Sequence, residues 1–416
     1  MAKFIIEGGG KLSGNITVSG AKNAVLPMLA ASLLTRQQCE FTNVPDIVDV
    51  RNFLRILDSL GAETQFENGR VSVSAKNITS SSPDINLVRS MRASIVLLGA
   101  LLARTGRAEI AFPGGDIIGR RPIDVHERAL RLMGAEVTGG KTISARADKL
   151  TGTEVFAESS VTGTENILLA AALAQGTTTI KLAALEPHVT ALAQMLKQMG
   201  AEIAGIGTHT LAITGVSRLG GVKVEVPPDM IEAGSLAILA AATKSNVTIE
   251  CVEHNHLDAV YNKFEEIGVN FDKVGNNLII RQPKENYRNA VIRTGLYPNL
   301  ATDLQPPFGV LATQCEGKSI IHDWIFEGRL GYLAELAKMG AKVKVLNPHQ
   351  AEIVGPTKLL GDTINSLDIR SGMTLVIAAL VAQGKSEIKD IHHIDRGYEH
   401  LEKRLSGIGA NIKRID

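Results

Sequence analysis

A chain of 416 residues with 44 Lys and Arg against 43 Asp and Glu has a formal charge of +1, which argues against holding nucleic acid or another polyanion by bulk electrostatics. Hydrophobic residues at 44% supply ample core, so disorder is excluded, and the length points to two or three domains. The apolar runs at 94–103 and 374–382 fall short of the roughly 20 residues of a membrane span. The opening MAKFIIEGGG has neither a signal-peptide apolar core nor a cleavage site, so the expectation is a cytoplasmic protein without a membrane partner. Cys39, Cys251 and Cys315 are odd in number and form no C-x-x-C pair, which fits a reducing compartment and no metal knuckle. Aromatics at 4% argue against base-stacking platforms.

In chain order, the first expected element is a helix over 24–34 that is apolar on nearly every face. An amphipathic helix from Phe53 follows and stops at Gly61. The alternation then recurs: an apolar helix over 93–103, an amphipathic one from His126 to Gly134, an apolar one over 166–175 and an amphipathic one from Ala191 to Gly200. After a VPPDMIE stretch at 226–232 the same order resumes, with apolar helices over 234–243, 309–314 and 373–383. Amphipathic helices there end at Gly268, Gly340 and Gly409. The six stop glycines are spaced by 73, 66, 68, 72 and 69 residues. Each reads as a left-handed residue closing a helix, followed by a strand. Helices hydrophobic all round are buried rather than laid on a surface. Several are followed by a further stop glycine (Gly106, Gly176, Gly317, Gly384) and a β-type run such as TTTIKL. Six units of roughly 70 residues, helices inside and strands outside, make two α/β domains of three units with a midpoint near 226–232.

Three G-K-[ST] tripeptides, at 140–142, 317–319 and 384–386, lack the Gly that a phosphate-binding P-loop needs five residues before its second Gly. Ala135, Ala312 and Ala379 stand there, and at least the last two read as helix-to-strand turns of the repeat. The segments that interrupt the repeat are better candidates for chemistry. Lys22, in Ser19–Asn23, follows a strand at a helix start and suits an anion, or else is a solvated lysine beside a turn. The run 112–126 packs two prolines, three glycines, two arginines and two aspartates into fifteen residues. It reads as a mobile loop whose Arg120 and Arg121 close over an anion, or as a flexible connector. Thr302 or Asp303 is placed to cap a buried helix, with Asp303 alternatively a catalytic base. Arg329, Arg370 and Arg396 occupy late units and, with Lys22 and Arg121, suit a substrate carrying phosphate and carboxylate. His254, His256, His392 and His393 lack a third ligand at helical spacing, so no metal site is expected.

The strings SGAKNAVLP (19–27), SMRAS (90–94), PGGDIIGRRPIDVH (113–126), TDLQ (302–305), FEGR (326–329), DIR (368–370) and HIDRGYE (393–399) resemble the UDP-N-acetylglucosamine 1-carboxyvinyltransferase family, also called UDP-N-acetylglucosamine enolpyruvyl transferases. The resemblance runs the full length. It implies a two-domain inside-out α/β barrel of six βαβαββ repeats, three per domain, with the active site in the cleft between them. One domain spans 22–227 and carries the active-site loop; the other combines 1–21 with 228–416. It further implies transfer of the enolpyruvyl group of phosphoenolpyruvate to the 3′-hydroxyl of UDP-N-acetylglucosamine, releasing phosphate, in cytoplasmic peptidoglycan synthesis. No cofactor or metal and no oligomer beyond a weak one are implied.

By the same resemblance Asp116, Asp303, Lys22 and Arg396 are catalytic. Phosphoenolpyruvate falls to Lys22, Asn23, Arg121, Arg329, Arg370 and Arg396. The nucleotide sugar falls to Arg92, Arg121, Pro122, Ile123, Asp124, Val125, Ser159, Ser160, Val161, Thr162, Asp303 and Ile325. The chain departs from the family pattern at four places. Asp116 stands where many members have a reactive Cys, which implies a carboxylic general acid and insensitivity to the thiol-alkylating epoxide fosfomycin. Val48, Ser159 and Met230 replace basic residues, removing cationic contacts. Shikimate 3-phosphate as acceptor, or a catalytically silent nucleotide-sugar-binding paralogue, are the rival readings. Ala21-Lys22-Asn23 in place of a Ser-Lys-Ser motif opposes the first, and retention of the phosphoenolpyruvate residues opposes the second.

Overall fold

Helices without a polar face have to be enclosed, and in the computed structural model, which describes residues 2–116 and 118–416, six of them are. They are Lys22–Ala31, Leu97–Thr105, Val161–Ala171, Met230–Ala242, Gln305–Ala312 and Ile369–Val381, each with most of its residues buried. The amphipathic helices between them, among them Val48–Ser59, Pro187–Gln198 and Asp258–Ile267, bury one face only. All six repeat glycines adopt positive φ, at 98° for Gly61, 93° for Gly134, 106° for Gly200, 89° for Gly268, 92° for Gly340 and 94° for Gly409. This is the left-handed turn that ends a helix at no Cβ cost. Gly106, Gly176, Gly317 and Gly384 do the same before the strands Arg107–Ala111, Thr177–Lys181, Gly317–His322 and Gly384–Lys389. Gly317 and Gly384 each begin a strand, so these two G-K-S tripeptides are the opening residues of strands and not the turns expected of them. Gly140 lies in the link between Glu136–Thr138 and Thr142–Arg146.

The chain divides into two compact units: Gly20–Gly115 with Arg121–Pro227, and Met1–Ser19 with Asp116–Arg120 and Pro228–Asp416. Each has its own apolar core, one drawn from residues between Ala21 and Val226, the other from Phe4–Val18 and from Ile231 onward. The opening strands Lys3–Gly8 and Ser13–Thr17 belong to the second unit through ladders with Gly384–Lys389, Asn411–Ile415 and Asn246–Glu250.

Among the described residues, five of the six sheets have four strands, with one parallel pair at an edge. The sixth has three, in the order Arg107–Ala111, Thr142–Arg146, Glu136–Thr138. Its open edge meets the run 80–83, where Glu109 N–H donates to the Ser81 carbonyl at 2.9 Å. Pro83 lacks a donor, and the Ser80 hydroxyl bonds locally to Ser82, so the segment does not extend as a strand.

Within the first unit the helices Leu97–Thr105 and Val161–Ala171 approach closely at Gly99. A Cβ there would lie 2.3 Å from the Asn166 carbonyl oxygen, and the Gly99 N–H donates to Asn166 Oδ1 at 2.6 Å. Gly99→Ala is expected to cost about 1–3 kcal/mol through overpacking, read as a lower midpoint in urea denaturation; an unchanged midpoint would contradict this contact.

Candidate functional site

In the first unit, the candidate residues gather at helix starts. Lys22 opens its helix, with Asn23 next to it. The preceding backbone is pinned by the Ala21 N–H donating to the Pro227 carbonyl at 2.7 Å. Gly20 is needed there, because a Cβ would fall 1.8 Å from the Asn43 carbonyl oxygen. Lys22 Nζ pairs with Asp49 Oδ2 at 2.8 Å, and Asp49 is buried in the first turn of Val48–Ser59. Asp49 was not singled out from sequence, although it closes the Asn-Val-Pro-x-x-x-Asp segment at 43–49. Arg92 donates through Nη2 to the carbonyls of Arg121 at 2.5 Å and Pro122 at 3.1 Å, fixing the run Arg121–Ile123 that leads into the helix Asp124–Leu132. Burial first, and then the neighbouring Arg121, pull the Arg92 guanidinium down to about 10.

Ser160 caps the helix Val161–Ala171, its Oγ accepting from the Gly163 N–H at 3.2 Å, and Ser159 before it turns at a φ of 53°. Thr162 contacts His126 Nε2 at 3.2 Å, while Asn166 Nδ2 lies 2.8 Å from His126 Nδ1. Asn166 Oδ1 already accepts from Gly99 N–H, and Nδ2 also donates to the Ile95 carbonyl at 2.9 Å. The amide must therefore present N–H to Nδ1, so His126 carries its proton on Nε2 and donates to Thr162. A second ring proton would face a donor. That arrangement agrees with the imidazole being pulled down to about 3, by burial and then by Arg92. His126 lay in a quoted motif and was given no role.

In the second unit, Asp303 sits in the 3₁₀ turn Thr302–Leu304. Its Oδ1 accepts from Arg329 Nη2 at 2.5 Å and its Oδ2 from Arg370 Nε at 2.8 Å. Both arginine side chains are almost wholly buried, 3% and 4% exposed, whereas Asp303 is 22% exposed. The expectation that Thr302 or Asp303 caps the following helix is corrected, because Gln305–Ala312 has no side-chain cap. Thr302 donates instead to buried Asp323 at 2.6 Å. Asp323 Oδ1 accepts the N–H groups of Ile325 and Phe326 at 2.9 and 3.0 Å, so it shapes the turn presenting Ile325.

Arg370 lies in the first turn of Ile369–Val381, behind a capping box formed by Asp368 and Ser371. Burial is the largest influence on its guanidinium and works against the charge. Asp303, Tyr398 and Asp229 more than offset it, and the group is held further above its ordinary value. Nor are Arg329 and Arg370 the surface ion pairs that isolated arginines usually form.

Among the described residues, Asp116, Ile118 and Arg120 each contact this unit. Arg396 Nη1 donates to Asp116 Oδ1 at 2.6 Å, Gly328 N–H to the Ile118 carbonyl at 2.9 Å, and Arg120 N–H to Glu327 Oε1 at 2.9 Å. The last of these holds the Glu327 carboxyl below its usual range. Gly119, at a φ of 136°, lies so close to Glu327 that a Cβ would meet Oε2 at 2.4 Å.

Lys22, Asn23, Arg92, Arg121–Val125 and Ser159–Thr162 thus lie in the first unit, and Asp116, Asp303, Ile325, Arg329, Arg370 and Arg396 in the second. Among the described residues no group of three His, Cys, Asp or Glu is placed to hold a metal. His254 instead bonds Tyr261 through Nδ1 at 2.5 Å. Among the same residues no helix is long and apolar enough to cross a membrane. Chemically, Arg329 and Arg370 can exchange their shared carboxylate for an anionic ligand, and helix N-termini beside them and in the first unit favour negative charge.

The model for EPSP synthase (3-phosphoshikimate 1-carboxyvinyltransferase) matches residues 6–405. The UDP-N-acetylglucosamine 1-carboxyvinyltransferase of Desulfosudis oleivorans is 43% identical over 417 residues, covering 100% of both chains. That of Koribacter versatilis is also 43% identical, over 100% of this chain and 97% of its own. The chain belongs to the UDP-N-acetylglucosamine 1-carboxyvinyltransferase family. Among solved structures, the enolpyruvyl transferase NikO from Streptomyces tendae superposes with a TM-score of 0.91 at 24% identity, covering 99% of this chain and 98% of that one. EPSP synthase from Acinetobacter baumannii gives 0.76 at 20% identity, covering 100% of both chains. The two-domain enolpyruvyl transferase fold expected of a UDP-N-acetylglucosamine 1-carboxyvinyltransferase is therefore the one this chain adopts.

Two outcomes follow from the site's charges. Asp303→Ala leaves two buried guanidiniums without their shared carboxylate and is expected to destabilise the protein by about 3–5 kcal/mol. Urea denaturation checks this, and a loss below about 1 kcal/mol would contradict the pairing. His126 is expected to remain the neutral Nε2–H tautomer from pH 8 to pH 5 in ¹⁵N-detected NMR. Since its folded-state pKa lies below the unfolded one, its contribution to stability is intact above about 6.5 and declines as pH falls toward 3. A native titration midpoint near 6.5 would refute the assignment.

Proposed function

We propose that the chain transfers the enolpyruvyl group of phosphoenolpyruvate to the 3′-hydroxyl of UDP-N-acetylglucosamine and releases phosphate, the first committed step of peptidoglycan synthesis, in the cytoplasm. The observation that carries this reading is Asp303 held between Arg329 and Arg370, in a chain that matches the carboxyvinyltransferases end to end. Its two domains are taken as 22–227 and as 1–21 with 228–416.

The residues take the following roles. Lys22 and Arg121 hold the phosphate, Arg329, Arg370 and Arg396 meet the carboxylate, and Asn23 adds a polar contact at the reacting carbon. Arg92, Arg121–Val125, Ser159–Thr162, Asp303 and Ile325 bind the nucleotide sugar. Asp116 donates a proton to the methylene carbon of phosphoenolpyruvate, and the sugar hydroxyl, losing its proton to Asp303, attacks the adjacent cationic carbon. Removal of a proton from the new methyl group then expels phosphate and restores the double bond.

The ion pairs supply a trigger for this sequence. A substrate carboxylate entering the arginine group competes with Asp303 for Arg329 and Arg370, and with Asp116 for Arg396. Asp303, stripped of one guanidinium, becomes a stronger base.

Purified protein mixed with phosphoenolpyruvate and UDP-N-acetylglucosamine is expected to release phosphate. Release with shikimate 3-phosphate instead would overturn the acceptor, and release with neither would overturn the activity. Asp116→Asn is expected to abolish turnover while substrate binding persists; near-normal turnover would remove Asp116 from the acid role. With no thiol at position 116, incubation with fosfomycin is expected to leave both activity and intact mass unchanged, and an adduct at Asp116 would contradict this.

A further inference from the structure

A cavity of about 760 Å³ in the first unit takes no part in the chemistry above. Its walls come from the C-terminal end of the helix Leu97–Thr105, the run 173–175 that follows Val161–Ala171, the adjoining strand ends, and the turn Gly215–Ser217. Four cationic side chains line it, Arg104, Arg107, Arg146 and Lys149, against a single carboxylate, Asp148. Among the described residues none of these five forms an ion pair. The contrast with the reaction residues is sharp, since there Lys22, Arg329, Arg370 and Arg396 each have a carboxylate partner.

Two of the cations are placed against each other. Arg107 lies directly opposite Arg146 in the antiparallel ladder of Arg107–Ala111 with Thr142–Arg146, a like-charge pairing that costs stability. On its other side Arg146 lies directly opposite Glu136, with which, among the described residues, it forms no ion pair. Arg104 is half-buried and donates to the Ala75 and Lys76 carbonyls at 3.1 and 3.5 Å. Burial and then nearby Arg36 work against its charge. A helix C-terminus accounts for a cation at Arg104, but not for Arg107, Arg146 and Lys149, which lie on strands or beyond them.

We infer that this cavity binds a small molecule bearing two or more linked phosphates. Arg107 and Arg146, directly across the ladder from each other, present two planar forks to phosphate oxygens, and Arg104 and Lys149 meet the remaining charge. A linked phosphate chain fits better than a single phosphate because its several charged groups match the four cations lining the cavity, and the ligand removes the repulsion across the ladder. The site lies at the opposite end of Val161–Ala171 from Ser160 and Thr162, roughly 15 Å along the helix.

The test is calorimetric titration of the whole protein with tripolyphosphate, comparing wild type with the double variant Arg107→Gln, Arg146→Gln. Binding at the reaction residues is common to both proteins, so the difference reports the cavity. The double variant is expected to lose at least tenfold in affinity while turnover without tripolyphosphate stays within twofold, and wild-type affinity is expected to fall as salt rises. Equal affinity in the two proteins, or no saturable binding by wild type, would overturn the assignment. Hydrogen exchange on wild type gives a check that needs no variant: tripolyphosphate is expected to protect 102–107 and 146–150, and protection confined to other segments would sink the proposal.

Discussion

Six helices that are apolar all round impose the main constraint on this molecule. Such a helix cannot lie at a surface, so each compact unit must wrap three of them in strands, and water meets sheets and amphipathic helices instead. The polar chemistry is thereby pushed to the helix ends, where the chain enters and leaves the core. Lys22, Ser160 and Arg370 occupy first turns or caps of central helices, and Asp303 lies immediately before another. Helix N-termini offer unpaired N–H groups and partial positive charge. A fold built around buried helices therefore assembles, without further devices, a set of places suited to anionic substrates.

Charge buried near those ends is matched almost one for one. Arg329 and Arg370 share Asp303, Lys22 has Asp49, Arg396 has Asp116, and Arg404 has Glu232. Buried pairs of this kind contribute little net stability but are costly to break. Their use lies in exchange, because an anionic substrate can take over a guanidinium only by releasing the carboxylate that held it. The unmatched cations around Arg107 and Arg146 stand out against this pattern, and a formal charge of +1 over the whole chain conceals both arrangements.

Much of the fold was legible because its signals are local. A glycine at positive φ is a property of one residue, and six of them at nearly even spacing expose the repeat before any contact is known. Apolar periodicity likewise identifies a helix as enclosed. The three-stranded sheet was not legible in this way, because whether 80–83 pairs as a strand depends on Pro83 and on serine hydroxyls competing for the backbone. The cap expected of Thr302 or Asp303 failed for a related reason: Thr302 found Asp323 and Asp303 found two arginines, partners 21 to 67 residues away.

By itself, then, the sequence determined the repeat, the enclosed helices, the family and the residue types that carry its chemistry, all of which depend on order along the chain. Tertiary structure alone decided which carboxylate faces which guanidinium, that His126 is neutral with its proton on Nε2, and that Arg107 opposes Arg146. Electrostatic energy depends on distance and on exclusion of water. Neither is written in the spacing of residues until the chain has folded.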